Sequence, residues 1–166
     1  SSGLHSSMYI QCAKLLSYPE TSKKICASLS KKIIEKYKEV DLILSPALGG
    51  IVIGYEIGRQ LNVETIFAER INGIFQLRRG FKISKNSRVL LIEDVITTGK
   101  SILECSKLVI KSNASILGYA CLIDRSNKNL VIKDSIISQI KMQVPTFKAN
   151  EIPEKLKKIP AIKLGS

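Results

Sequence analysis

The chain has 166 residues, with 26 Lys and Arg against 14 Asp and Glu and a hydrophobic fraction of 45%. That is the length of one domain with an aliphatic core, and neither a run of about 18 apolar residues nor a leader-like opening marks a membrane span or signal peptide. The net charge of +12 favours an anionic partner, a phosphorylated substrate or nucleic acid, but the lysines are scattered, so most are expected to be solvated surface.

In chain order, the opening Ser1-Ser2-Gly3 lacks a methionine, so the natural N-terminus is expected to be missing. Cys12, Cys26, Cys105 and Cys121 stand far apart with no CxxC pair, and His5 is the only histidine. They are expected to be buried thiols in a reducing cytosol rather than metal ligands. The stretch TSKKICASLSKKIIEKY predicts a helix capped at Thr21 or Ser22, with Ile25, Leu29 and Ile33 on one face. VDLILS predicts a buried strand ending at Ser45-Pro46, and GGIVIGYEIGRQL a helix entered through glycines. Gly50, Gly54 and Gly58 recur every four residues there, as close packing on a sheet demands. VETIFAER predicts a second strand, and Asn72-Gly73 marks a turn within a hairpin or mobile loop spanning Ile71 to Ser87. RVLLIED predicts the most deeply buried strand, followed by a helix from about Gly99 to Lys111. ASILGYACLID predicts another strand, SQIKMQV alternates Ile140, Met142 and Val144, and the basic tail from Lys148 to Ser166 predicts a surface extension. Strand–helix–strand order recurs three times on this reading, which predicts one α/β domain over residues 1–166 with a mainly parallel sheet.

The segment RVLLIEDVITTGKS ends like a nucleotide-triphosphate loop, yet Glu93 and Asp94 occupy the region where that loop's first glycine belongs. Two carboxylates facing a triphosphate repel it, so that reading fails. A buried strand instead delivers both acids to its carboxyl end, where open α/β sheets bind ligands. Thr97, Thr98, Gly99, Lys100 and Ser101 then form a polar turn opening a helix, and free amides with hydroxyls and one lysine suit a phosphate monoester. Carboxylates one turn away suit hydroxyl donors or, through water, Mg²⁺. A phosphate beside a diol describes a ribose 5-phosphate.

Four aliphatics, two acids and then Val95-Ile96-Thr97-Thr98-Gly99-Lys100-Ser101 resemble the phosphoribosyl pyrophosphate (PRPP) motif of type I phosphoribosyltransferases. SPALGG, Ser45 to Gly50, resembles the pyrophosphate loop of the orotate phosphoribosyltransferases, which often holds a non-proline cis peptide, and CLIDRS resembles their base-contacting segment. The resemblance runs from Ser1 to about Asn127 and, less specifically, through the ending IPAIKLGS. It implies a type I phosphoribosyltransferase fold with a small N-terminal hood and a mobile hairpin loop. It also implies transfer of the phosphoribosyl group from PRPP to orotate, giving orotidine 5′-phosphate and pyrophosphate.

By this resemblance Glu93, Asp94, Val95, Ile96, Thr97, Thr98, Gly99, Lys100 and Ser101 hold the ribose phosphate, and Leu48 and Gly49 the pyrophosphate, with Arg70 beside them. Arg125 grips the orotate carboxylate, Thr97 reaches the base, and Tyr9 and Ile10 cover it. Mg²⁺ is held mainly through PRPP and water, and a homodimer shares its loops across the interface, in the cytoplasm, with neither nucleic acid nor membrane as partner. Two departures stand out. Well-known members carry Lys where this chain has Gly49, and their loop carries Lys and His where this one offers Arg70, Arg78, Arg79 and Lys82. Arginine holds an anion but is no general acid near neutral pH, so catalysis is expected to rest on Mg²⁺ and fixed positive charge. A phosphoribosyltransferase for a purine or uracil, or a non-catalytic nucleic-acid-binding regulator, stay open as alternatives.

Overall fold

The structure, a computed structural model, describes residues 5–126 and 128–162. By contacts the chain divides into two compact units, Cys12–Met142 and the two terminal stretches Ser1–Gln11 and Gln143–Ser166. The elements of the larger unit are α1 (Cys12–Leu16), α2 (Pro19–Lys36), β1 (Leu42–Pro46), α3 (Gly49–Leu61), β2 (Thr65–Ile71) and β3 (Ile74–Leu77), followed by β4 (Arg88–Ile96), α4 (Lys100–Lys111), β5 (Ser115–Asp124) and β6 (Ile136–Lys141).

Six strands form one sheet in the order β3-β2-β1-β4-β5-β6, parallel throughout except for the β2–β3 hairpin. The central strands β1, β4 and β5 are buried on both faces over most of their length, which is why they read as aliphatic runs rather than alternating ones. Leu42, Leu44, Val89 and Leu91 pack with Ile102, Cys105 and Val109 of α4 in one core. On the other face Ser45 lies against Gly54 of α3, where a methyl group would collide with its hydroxyl oxygen, so the small-residue spacing serves close packing as expected. At the hairpin turn Asn72 (φ 48°) and Gly73 (φ 82°) are both left-handed, the conformation an Asn-Gly pair adopts most readily.

Four details differ from the sequence expectations. Helix α2 starts at Pro19, with Tyr18 as N-cap and proline in its first turn, so Ser22 is a buried helical residue and not a cap. Helix α1 was not anticipated. Strand β6 ends at Lys141, and beyond it only the Met142 amide continues the pairing, donating to the Asp124 carbonyl at 2.9 Å. There are two strand–helix–strand units, β1–α3–β2 and β4–α4–β5, not three: β5 and β6 are parallel but joined without a helix.

In the smaller unit His5 and Phe147 form an antiparallel bridge, each amide donating to the other's carbonyl at 2.8 Å. Its tail carries a 3₁₀ turn (Ala149–Glu151) and the short helix α5 (Glu154–Lys157), with no residue of either buried, in keeping with a surface extension. The expectations for Ser1–Leu4, Asn127 and Lys163–Ser166 lie outside the described residues. No described helix is long and apolar enough to cross a membrane.

Candidate active site

Strand β4 delivers the acids. Its buried run ends at Ile92, and the strand continues through Glu93, Asp94 and Val95, all partly exposed, to buried Ile96. Alternation puts the two acids on opposite faces of the sheet. Glu93 shares its side with Val89 and Leu91, toward α4. Asp94 lies against the start of α3: a Cβ on Gly49 would stand 2.8 Å from its Oδ1 and 3.0 Å from its Cγ. Gly49 therefore gives Asp94 its space.

Among the described residues neither carboxylate has a cationic partner, and burial dominates both. Burial, reinforced by the neighbouring Asp94 charge, pushes the Glu93 carboxyl up to about 8. Burial also raises Asp94, partly offset by the Val95 amide donating to its Oδ1 at 2.9 Å. Such an acid pair is poised for a ligand bearing hydroxyls or a divalent cation. Among the described residues no group of three or more His, Cys, Asp and Glu could hold a metal alone, while the two carboxylates are oxygen donors of the kind Mg²⁺ takes. The four cysteines are buried free thiols, as expected, and Cys12 and Cys105, both pushed up to about 12 chiefly by burial, are unreactive neighbours of the acids.

The turn after β4 leads directly into α4. Gly99 caps α4 with φ 74°, and no side chain caps the helix. The Leu103 amide donates to the Gly99 carbonyl (3.0 Å), and the Lys100 amide only weakly to Thr98 Oγ1 (3.4 Å). The first amides of α4 thus stay available, with Thr98 and Lys100 exposed and Thr97 and Ser101 half-buried beside them. Leu48, 83% exposed, precedes α3, and the peptide joining Ala47 to it is cis.

Arg125 follows β5. Its amide donates to the Ile96 carbonyl at 2.8 Å, which ties it to the turn. Its Nε is buried with no hydrogen-bond partner among the described residues. A guanidinium nitrogen withdrawn from water and unsatisfied is a cradle awaiting an acceptor. Asp124, which sequence reasoning passed over, shapes this corner: it is buried, accepts from the Ser126 amide at 2.8 Å and pairs with Lys141 at 3.5 Å.

The loop arginines are less gathered. Arg70 pairs with Glu104 of α4 at 2.6 Å, donates to the Gly73 carbonyl at 2.6 Å and lies over the Phe75 ring. Arg79, with φ 58°, pairs with Glu69 at 2.9 Å, while Arg78 is exposed. Tyr9 and Ile10 belong to the smaller unit, where Tyr9 is half-exposed and its hydroxyl accepts from Gln11 at 3.1 Å. A cavity of about 820 Å³ between β3 and α4, lined by residues such as Phe75, Leu77, Lys107 and Lys111, contains neither acid nor the turn. The acid pair, the turn and Arg125 lie instead at the carboxyl ends of β4 and β5.

Comparison with known proteins bears on the family and the fold. The phosphoribosyl transferase domain family matches residues 17–158. The orotate phosphoribosyltransferase of Maricaulis maris is 40% identical over 167 residues, covering 100% of this chain and 86% of that protein. That of Caldicellulosiruptor bescii is 40% identical over 166 residues, with the same coverage. Among solved structures, adenine phosphoribosyltransferase from Thermoanaerobacter pseudethanolicus superposes with a TM-score of 0.69 at 18% identity, covering 81% of this chain and 88% of that one. Leishmania donovani UMP synthase gives 0.66 at 19% identity, covering 81% of this chain and 30% of that one. The structural likenesses establish the type I phosphoribosyltransferase fold, and the full-length sequence matches go further: the chain belongs to the orotate phosphoribosyltransferases.

Proposed function

We propose that the chain transfers the 5-phosphoribosyl group of PRPP to orotate, releasing pyrophosphate and orotidine 5′-phosphate. The observation that carries this reading is the unsatisfied, buried Arg125 Nε, one peptide hydrogen bond from a turn of free amides and close in sequence register to the acid pair. Orotate is an anionic base, and a planar guanidinium pairs with its carboxylate in bidentate fashion.

In this reading the amides and hydroxyls of Thr97–Ser101 hold the 5′-phosphate, with Val95 and Ile96 forming the floor that leads into them. Glu93 and Asp94 accept the ribose hydroxyls. As the C1–O bond to pyrophosphate loosens, positive charge grows on the ribose ring, and two nearby carboxylates stabilise it. The orotate ring nitrogen, aimed by Arg125 and by Thr97, captures the ribose carbon as its N–H proton passes to water or the departing pyrophosphate. Leu48 and Gly49 at the start of α3, with Arg70, Arg78 and Arg79 of the hairpin region, hold the departing pyrophosphate, and no proton donor is needed. Mg²⁺, when bound with PRPP, supplies charge neutralisation of the pyrophosphate.

Edge strand β3 exposes Ile74, 66% accessible, and together with the shared loop implied by the resemblance this supports a homodimer. Buried free thiols suit a cytoplasmic protein. The direct test is orotate consumption with PRPP and Mg²⁺, followed by ultraviolet absorbance, beside uracil, adenine, guanine and hypoxanthine. Turnover of orotate alone is the expected result; turnover of a purine or uracil in its place refutes the base assignment.

A further inference from the structure

The helix-free stretch joining β5 to β6 is stitched to the phosphate turn at two places. Its start donates from the Arg125 amide to the Ile96 carbonyl (2.8 Å), and further on the Val131 amide donates to the Thr98 carbonyl (2.9 Å). Immediately past the second of these points lies Gly99, and it is covered. A Cβ on Gly99 would stand 2.7 Å from Ile132 Cδ1, 2.8 Å from Ile132 Cγ1 and 3.4 Å from Leu130 Cδ1. Ile132 is itself buried, 5% exposed, in the core on the α4 side of the sheet.

Gly99 sits in the left-handed region at φ 74°, and its orientation sets the direction in which the first amides of α4 point. No side chain caps the helix, and the covering isoleucine packs on Gly99 from outside the turn, beside the Val131–Thr98 hydrogen bond. We propose that Ile132 is a positioning residue for the transfer reaction: packed on Gly99, it fixes the turn that seats the 5′-phosphate, and through the chain it shares with Arg125 it makes the orotate and PRPP sites tighten each other. The proposal rests on the reading of that turn as the phosphate seat. Linkage makes the effect reciprocal: whatever PRPP does for orotate affinity, orotate does for PRPP affinity.

The test compares the whole protein with its Ile132→Ala variant. KM for PRPP is expected to rise about tenfold with kcat reduced less than about threefold, since small misplacements of a binding group are costly. By calorimetry, ribose 5-phosphate with Mg²⁺ should tighten orotate binding in the original protein and no longer do so in the variant. A merely structural role lowers the active fraction, hence kcat, and leaves KM and the linkage alone; that outcome overturns the proposal. Ile132→Val, which removes one methyl, gives a graded rise of about twofold in KM and serves if the alanine variant does not fold. Its KM and linkage staying at the original values overturns the proposal equally. The variant Thr98→Ala, Ser101→Ala separates the two levels. If it raises KM for PRPP while the Ile132 series does not, the positioning role alone falls; if neither does, the phosphate seat falls with it.

Discussion

The double variant Glu93→Gln, Asp94→Asn is expected to lose about three orders of magnitude in kcat/KM, since each carboxylate faces charge that develops only as the bond to pyrophosphate breaks. It should do so without loss of fold. Glu93 holds its proton up to about pH 8 in the folded chain, whereas in the unfolded chain it releases it near 4.5. The folded state therefore binds more protons across that window, and stability falls as pH rises from about 4.5 towards 8. Glutamine cannot ionise, so the variant escapes that penalty and should melt no lower than the original chain at pH 8. Activity lost with stability kept marks a functional acid pair; activity kept refutes the role assigned to it. Association with PRPP and Mg²⁺ favours the ionised carboxylates, so at pH 7 binding should release protons. Calorimetry in two buffers of different ionisation enthalpy reads that release, and proton uptake contradicts it.

The second large effect belongs to Arg125. Arg125→Ala removes a charged bidentate donor and should weaken orotate binding by about 10- to 100-fold, judged from about 1.5–3 kcal/mol per hydrogen bond to a charged group. Arg125→Lys keeps the charge but loses the planar fork, so it should recover only part of that loss. KM for PRPP is expected to stay within about threefold, because the tie to the phosphate turn is made by the residue's backbone amide, which either substitution retains. Measuring both Michaelis constants separates the two sites. A loss confined to PRPP would move Arg125 from the base to the phosphate.

Much of this was legible in the sequence because the signals were local. Leu42 to Leu44 and Val89 to Ile92 are aliphatic runs that only a doubly covered strand accommodates, and Asn72-Gly73 names its own turn. The motif from Glu93 to Ser101 carried most of the proposed site on consecutive residues. What escaped was decided by contacts distant in sequence. Helix α1 has five residues, too few for a periodic pattern. The placement of β6 depends on pairing with Tyr119–Asp124 and on Lys32 of α2 donating to the Ser138 and Gln139 carbonyls, so the alternation at Ile140, Met142 and Val144 misplaced it. Ile132 reads as an ordinary hydrophobe until the chain returns it to Gly99. The motif could name Arg125 but not the burial of its Nε. For Arg70 and Arg79 the sequence supplied the charge, while the structure supplied their partners, Glu104 and Glu69.

A structure of the protein bound to orotidine 5′-phosphate addresses the central claim in a single experiment. The account predicts the phosphate on the main-chain nitrogens opening α4, the ribose hydroxyls on Glu93 and Asp94, and the base carboxylate on the Arg125 guanidinium. A nucleotide seated in the cavity between β3 and α4, or held with both acids turned away from the sugar, would contradict it.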